Sequence, residues 1–287
     1  MKILLAGTPN FAVPIFEEII KHFDVVGIVS QPDKPSLRGH KTQPTPTKLL
    51  AEKYGIKCFQ PEKIGQIKDE LKALDYDYLI TAAFGQFIPD SVLAIAKKLN
   101  LNIHGSLLPK YRGAAPIQYA LLNNDKETGI SLMEMVHEMD AGDVFATAKY
   151  EIKPTDAAST LFNELSDLAK NNIVEWIKKI DNNELKRVKQ DSSLVTLSPK
   201  LNKEDAFLKP SLTCQEAINI IRAFEMNPGA YTIINDKRVK IFFATKDVVK
   251  NGIKIHFSDG DIYATDYQFE SKKRVVFPSF QLLQCNF

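Results

Sequence analysis

The chain has 287 residues, 44% of them hydrophobic and 25% charged, which excludes general disorder and leaves apolar material for roughly two domains of about 150 residues each. Lys plus Arg is 37 against 35 Asp plus Glu, so the net charge of +2 makes no global case for nucleic acid or membrane. Three cysteines, Cys58, Cys214 and Cys285, lie far apart with no CxxC pair and no histidine cluster, which argues against a disulfide framework and a zinc site; no metal is expected. The apolar run in MKILLAGTPNF is too short for a signal peptide, and no stretch reaches the ~18 apolar residues of a membrane span. A cytoplasmic protein with no membrane attachment is expected, and a monomer, since nothing points to an obligate oligomer.

Residues 2–6 read as a short strand ending at Gly7, Thr8 and Pro9, followed by a helical pattern over about 11–22 and a second strand over 25–30. The alternation continues with a helix near 47–54, a strand at 57–59, a helix near 64–74, a strand at 78–82, a helix at 89–99 and a strand at 101–104. Strands alternating with helices predict an α/β fold with a mostly parallel sheet covered on both faces, whose ligands bind beyond the carboxyl ends of the strands. Strand-like segments at 129–136 and 144–150 and a long helix over about 157–180 follow. These define a first domain over 1–189. Residues 181–205 are polar and Lys-rich and read as a linker. In the second domain, 206–287, a helix over 213–223 precedes strands at 231–234, 239–243, 253–257, 262–265 and 274–277. Their Asn235-Asp236, Asn251-Gly252 and Asp259-Gly260 turns predict a small β-barrel.

The turn Gly7-Thr8-Pro9-Asn10 stands where a dinucleotide fold would place GxGxxG, but it has one glycine and then a proline, so a nicotinamide dehydrogenase is disfavoured. The densest stretch is NIHGSLLPKYRGAAPIQ, residues 102–118. Asn102 and His104 are spaced by two, and alternation puts both on one side of a strand at its carboxyl end. Asp140, in MDAGD, is either plain turn chemistry or the carboxylate that completes the set. An amide donor, a group titrating near neutrality and a carboxylate to orient it suit acyl transfer without a covalent nucleophile. In the loop over 31–48, Lys34, Arg38, Lys41 and Lys48 face a single Asp33, which is either a solvated surface or a dock for a polyanion. Lys237, Arg238, Lys240, Lys272, Lys273 and Arg274 form a second candidate phosphate-facing group.

Across nearly all of 1–180, through GTPNFAVP, QPDKPSLRGHK, AAFGQFIP, NIHGSLLPKYRGAAPIQ and MDAGD, the chain resembles the methionyl-tRNA formyltransferase family. The resemblance implies a Rossmann-like catalytic domain followed by a small OB-like β-barrel domain. It implies transfer of formyl from 10-formyltetrahydrofolate to the α-amine of initiator methionyl-tRNA. In that reading Asn102 and protonated His104 stabilise the oxyanion, while Asp140 holds His104 and relays a proton. Folate would sit against Phe84, Gly85, Gln86 and Ile88 and the turn Ser106, Leu107, Leu108 and Pro109, and the loop bearing Lys34, Arg38 and Lys41 would meet the acceptor end of the tRNA. The wider group of enzymes using this formyl donor shares the Asn, His and Asp set, so a formyltransferase for an amino sugar nucleotide is the alternative, and a non-catalytic tRNA-binding protein is a more distant one.

Overall fold

The computed structural model describes residues 1–35, 42–226 and 228–277 and divides into two compact units. The first takes Met1–Gly113, Gly129–Tyr150 and Asn163–Leu197; the second takes Ala114–Thr128, Glu151–Phe162 and the chain from Ser198 onward. Among the described residues no helix is long and apolar enough to cross a membrane.

The first unit is built on one sheet of seven strands: β1 (Lys2–Gly7), β2 (Asp24–Val29), β3 (Cys58–Phe59), β4 (Tyr78–Ala82), β5 (Leu99–His104), β6 (Glu127–Glu134) and β7 (Val144–Glu151). Their order is β7-β6-β5-β4-β1-β2-β3. The pairs β1–β2, β1–β4, β2–β3 and β4–β5 are parallel, and β5–β6 is antiparallel. The expected mostly parallel sheet is therefore the observed one. Its central strands read as unbroken apolar runs, KILLAG and YLITA, because both faces are covered; all five residues of β4 are buried.

Helix α1 (Ala12–His22) buries Ala12, Ile15, Phe16 and Ile19, the spacing of one helical face. Helix α2 (Pro46–Tyr54) begins where the Thr45 hydroxyl accepts from the Lys48 amide and Pro46 fills the first turn, and it ends on Gly55 in the left-handed region. The helix expected over 64–74 is a 3₁₀ turn at Ile64–Ile67 followed by α3 (Lys68–Ala73). The helix expected over 89–99 is only α4 (Asp90–Leu93). There the chain peels away early: Lys97 and Lys98 donate their amides to the Tyr76 and Asp77 carbonyls, and Asn100 caps the Leu93 carbonyl at 2.8 Å. Tertiary hydrogen bonds thus override the helical propensity of AIAKK. After α5 (Pro116–Leu122), a short helix absent from the expectations, comes α6 (Ala158–Asp181), close to the long helix expected there.

In the second unit, α7 (Cys214–Ala223) opens with a capping box in which the Thr213 hydroxyl accepts from the Glu216 amide and the Glu216 carboxylate accepts from the Thr213 amide at 2.7 Å. It packs on a sheet made of β8 (Ala230–Ile234), β9 (Lys237–Thr245), β10 (Ile253–Phe257), β11 (Gly260–Phe269) and β12 (Val275–Val276). All of these pairs are antiparallel, in the order β8-β9-β11-β10, with β12 also on β11. Asn235 and Asp236 take φ of 50° and 60°, the two left-handed residues that a tight hairpin between β8 and β9 requires. Five strands stand close to where five were expected. The expected barrel closure is not found among the described residues, where the strands form an open sheet with a parallel bridge from Phe207 to Tyr231 at the β8 edge.

Candidate active site

Strand β5 delivers Asn102 and His104 at its carboxyl end, and its neighbour β4 places Thr81 in register with Asn102. The Thr81 hydroxyl donates to Asn102 Oδ1 at 2.7 Å. That bond fixes the carboxamide and leaves Nδ2 facing Asp140 Oδ1 at 3.5 Å. His104, 5% exposed, donates from Nε2 to the Tyr111 carbonyl at 2.9 Å and turns Nδ1 to Asp140 Oδ2 at 3.6 Å. With Nε2 committed as a donor, Nδ1 is the nitrogen left to exchange a proton. Three residues expected to act together therefore stand together, with one carboxylate between an amide and an imidazole.

Asp140 sits on a turn between β6 and β7 at a φ of 53°, a strained backbone region for a residue with a Cβ. Its Oδ2 accepts from the Gly113 amide at 2.9 Å. Two residues on, Gly142 lies so close to β6 that a Cβ there would stand 2.0 Å from the Glu134 carbonyl oxygen, so only glycine fits. Gln190, 9% exposed, donates from Nε2 to the carbonyls of Asp140 at 2.8 Å and Gly142 at 2.7 Å. Its segment, expected to be linker, is pinned by a bridge in which Val144 and Val188 exchange backbone bonds of 2.9 Å. Sequence reasoning singled out neither Thr81 nor Gln190 for the site.

The residues expected to meet folate divide into two groups. Phe84 is buried in the core with Leu4, Val29 and Tyr76, and its carbonyl accepts from Thr8 Oγ1 at 3.1 Å and Gln31 Nε2 at 2.9 Å. Gln86 spends its amide on the scaffold, accepting from Ile64 N at 2.9 Å and donating to the Pro61 carbonyl at 3.0 Å. Ile88 packs on the same core, while Gly85 is exposed. In the second segment Ser106 is buried and donates to the Lys110 carbonyl at 2.6 Å, and Leu107, Leu108 and Pro109 are half-buried. Ser131 ties that turn down, accepting from the Leu108 amide and donating to the Ser106 carbonyl. Leu108 and Pro109 line a cleft of about 290 Å³ with Phe145, Thr147 and Gln190.

Of the loop cations, Lys34 is exposed and pairs with Gln43 across a two-residue hairpin stem, whereas Arg38 and Lys41 lie outside the described residues. Lys48 belongs to α2 and is spent on Asp33. The Gln60 amide and the Lys48 ammonium together hold the Asp33 carboxyl below its ordinary value, and Asp33 raises Lys48 in turn. Burial pushes the nearby Cys58 thiol up to about 11, which keeps it protonated and unsuited to nucleophilic work. Cys285 lies outside the described residues, among which no cluster of three or more His, Cys, Asp or Glu could hold a metal. In the second unit Arg238 stacks over Tyr231 at 3.7 Å, but Arg274 gives both arms of its guanidinium to the buried Asp266 at 2.6 Å. Arg274 is therefore anchored by that pair.

The mostly parallel sheet thus carries an amide, an imidazole and a carboxylate together beyond the end of β5. The formyl transferase family matches residues 1–177, the formyl transferase C-terminal domain matches residues 200–281, and the chain belongs to this family. Within it the similarity runs to methionyl-tRNA formyltransferases. The one from Mycoplasmopsis pulmonis is 52% identical over all of this chain and 99% of its own length. The one from Malacoplasma penetrans is 41% identical over 95% of this chain and 90% of its own. Solved structures share the fold at lower identity. An N-formyltransferase from Helicobacter canadensis, in complex with folinic acid and dTDP-3-aminofucose, is 24% identical with a TM-score of 0.69, over 92% of this chain and 98% of that one. HypX from Aquifex aeolicus, in complex with tetrahydrofolic acid, is 18% identical with a TM-score of 0.64; 98% of this chain covers 46% of it, about half its length.

Proposed function

We propose that the protein transfers the formyl group of 10-formyltetrahydrofolate to the α-amine of initiator methionyl-tRNA, in the cytoplasm. The observation that carries this reading is the convergence of Asn102 Nδ2 and His104 Nδ1 on the Asp140 carboxylate, at 3.5 and 3.6 Å. Support for the acceptor comes from relatives named methionyl-tRNA formyltransferase along the full length of the chain at up to 52% identity, against 24% for the N-formyltransferase solved with dTDP-3-aminofucose.

The chemistry is an amide exchange. The amine nitrogen bonds to the formyl carbon, the carbonyl electrons move to oxygen, and the bond from that carbon to N10 then breaks. The nitrogen loses one proton and N10 gains one, giving N-formylmethionyl-tRNA and tetrahydrofolate. An α-amine with an ordinary pKa of about 7.7–8.0 keeps roughly a tenth to a sixth of its molecules neutral near pH 7, so a nucleophilic fraction is present without a strong base and the site must position it. Asn102 donates to the developing oxyanion through its second Nδ2 hydrogen, while His104 Nδ1 and the Asp140 carboxylate beside it carry the amine proton toward N10. Folate fits best against backbone and apolar surface: exposed Gly85, half-buried Ile88, and the Leu107, Leu108 and Pro109 turn. Phe84, Gln86 and Ser106 support those segments from within. Lys34, Arg38 and Lys41 contact the tRNA acceptor end, and residues 206–287 extend contact along the tRNA.

The test is transfer of formyl from 10-formyltetrahydrofolate to two methionylated tRNAs, initiator and elongator, scored by resistance of the methionyl ester to deacylation. Formylation of the initiator alone is expected. Folate binding with formylation of neither tRNA would move the acceptor to an amino sugar, and absence of folate binding would overturn the enzyme reading.

A further inference from the structure

Gln190 lies in the polar stretch that follows α6, yet its side chain is the most fully engaged group around the Asp140 turn. A carboxamide has two N–H donors and an acceptor oxygen. Here Nε2 donates to the Asp140 and Gly142 carbonyls at 2.8 and 2.7 Å, and Oε1 accepts from Arg112 Nε at 3.0 Å. Arg112 also reaches Glu138 Oε1 at 3.4 Å and stands between two residues that touch the site. The Tyr111 carbonyl before it accepts from His104 Nε2, and the Gly113 amide after it donates to Asp140. Gln190 thus joins the segment that holds His104 to the turn that carries Asp140.

The turn needs such a clamp. Asp140 sits in the left-handed region, and Gly142 is pressed against the Glu134 carbonyl on its other side, so the turn has no slack toward β6. Without the carboxamide, the buried Gly142 carbonyl and the part-buried Asp140 carbonyl would lose their donor, and the turn would be free to relax away from β6. The carboxylate would then leave the point where it meets both Asn102 and His104.

We propose that Gln190 is a positioning residue for the reaction, setting the Asp140 carboxylate against His104 through the backbone of the 138–142 turn. The proposal rests on the formyl-transfer reading for its kinetic test but not for its spectroscopic one. Two variants of the full chain are compared with wild type: Gln190→Met, near in shape with no hydrogen bonds to give, and Gln190→Glu, which keeps the acceptor for Arg112 but sets oxygen against the two carbonyls. In both, kcat should fall by roughly 10- to 100-fold with both KM values within about twofold, since a displacement near 1 Å can cost about that much. In an Asp140→Asn background, Gln190→Met should cost less than about twofold more, because its effect passes through that carboxylate. Independently of any transfer, the Nδ1 nitrogen resonance of His104 should move in Gln190→Met in the direction seen in Asp140→Asn. Multiplying losses in the double variant, a KM effect with kcat intact, or an unmoved His104 resonance would each overturn the proposal. If wild type formylates no methionyl-tRNA, the functional reading fails and the His104 resonance alone decides this one.

Discussion

The two units use polar side chains in opposite ways. In the first, the groups around Asp140 are buried and spent on one another: Thr81 on Asn102, His104 on Tyr111, Gln190 on the Asp140 turn. In the second, Lys237 of β9 is exposed and Arg238 and Lys240 are half-buried. Arg238 lies on the face of Tyr231, and Arg238 and Lys240 line a shallow depression of about 300 Å³ with Gln268, Phe269 and Glu270. A buried network sets geometry, so removing one member displaces the rest and the loss is large. A surface array adds long-range attraction in small, replaceable steps. Chemistry and grip on a polyanion therefore differ in how they respond to mutation and salt.

The largest effects should come from the network's centre. Asp140→Ala and Asn102→Ala each remove a group from the reacting point, and each should lower kcat by roughly 100- to 1000-fold while the protein still folds. Single-turnover transfer with saturating donor measures this, and near-wild-type turnover in either variant would break the contrast between the units. One step outward, Thr81→Val keeps the volume and removes only the hydroxyl that orients Asn102, at a cost of about tenfold in kcat. Thr81→Ser should restore most of the rate. A serine variant as slow as the valine one would mean that the methyl group, not the hydroxyl, does the positioning.

Cations should behave differently. Arg38→Ala should raise KM for methionyl-tRNA by about tenfold with the folate constant unchanged; equal losses in both would make the loop structural. Arg238→Ala and Lys240→Ala should each weaken tRNA binding by roughly two- to threefold and lower the slope of log affinity against log salt by about 1. Loss of affinity with an unaltered salt slope would place the second unit's surface outside the tRNA path.

The sequence was most legible where one local pattern decided the outcome. Strand β4 is five buried residues in a row, and its bounds follow from the run itself. Asn102 and His104 follow from alternation at a strand end, and Asp140 from its MDAGD turn together with the resemblance. What stayed hidden depended on partners distant in sequence. Thr81 reads as one more strand residue until the β4–β5 register sets it opposite Asn102. Gln190 gives no local signal at all, because its acceptors are backbone carbonyls 48 and 50 residues away in a stretch that looks like linker. The helix expected at 89–99 failed for the same reason, since the Tyr76 and Asp77 carbonyls claim Lys97 and Lys98.

The smallest effect tests whether the first unit's polar groups act as a network beyond its centre. Asp33 accepts from Gln60 Nε2 at 2.6 Å, the Lys48 ammonium and the Thr45 amide at 3.3 Å, at the base of the loop that carries Lys34. Its folded-state carboxyl is held below the ordinary value of 3.8, so its contribution is present above that value and disappears as pH falls through the lower folded one. Lys48 is raised, so its share persists through neutral pH and is lost only on strongly alkaline titration. Asp33→Asn should therefore lower Tm by roughly 2–4 °C at pH 7, a gap that narrows below about pH 4 and closes once both proteins carry a neutral side chain there. Melting curves of the two proteins across that range measure it. A gap that stays constant with pH would assign the loss to shape and hydrogen bonding rather than to charge, and Asp33 would then belong with the packed groups around Asp140 instead of with the surface pairs.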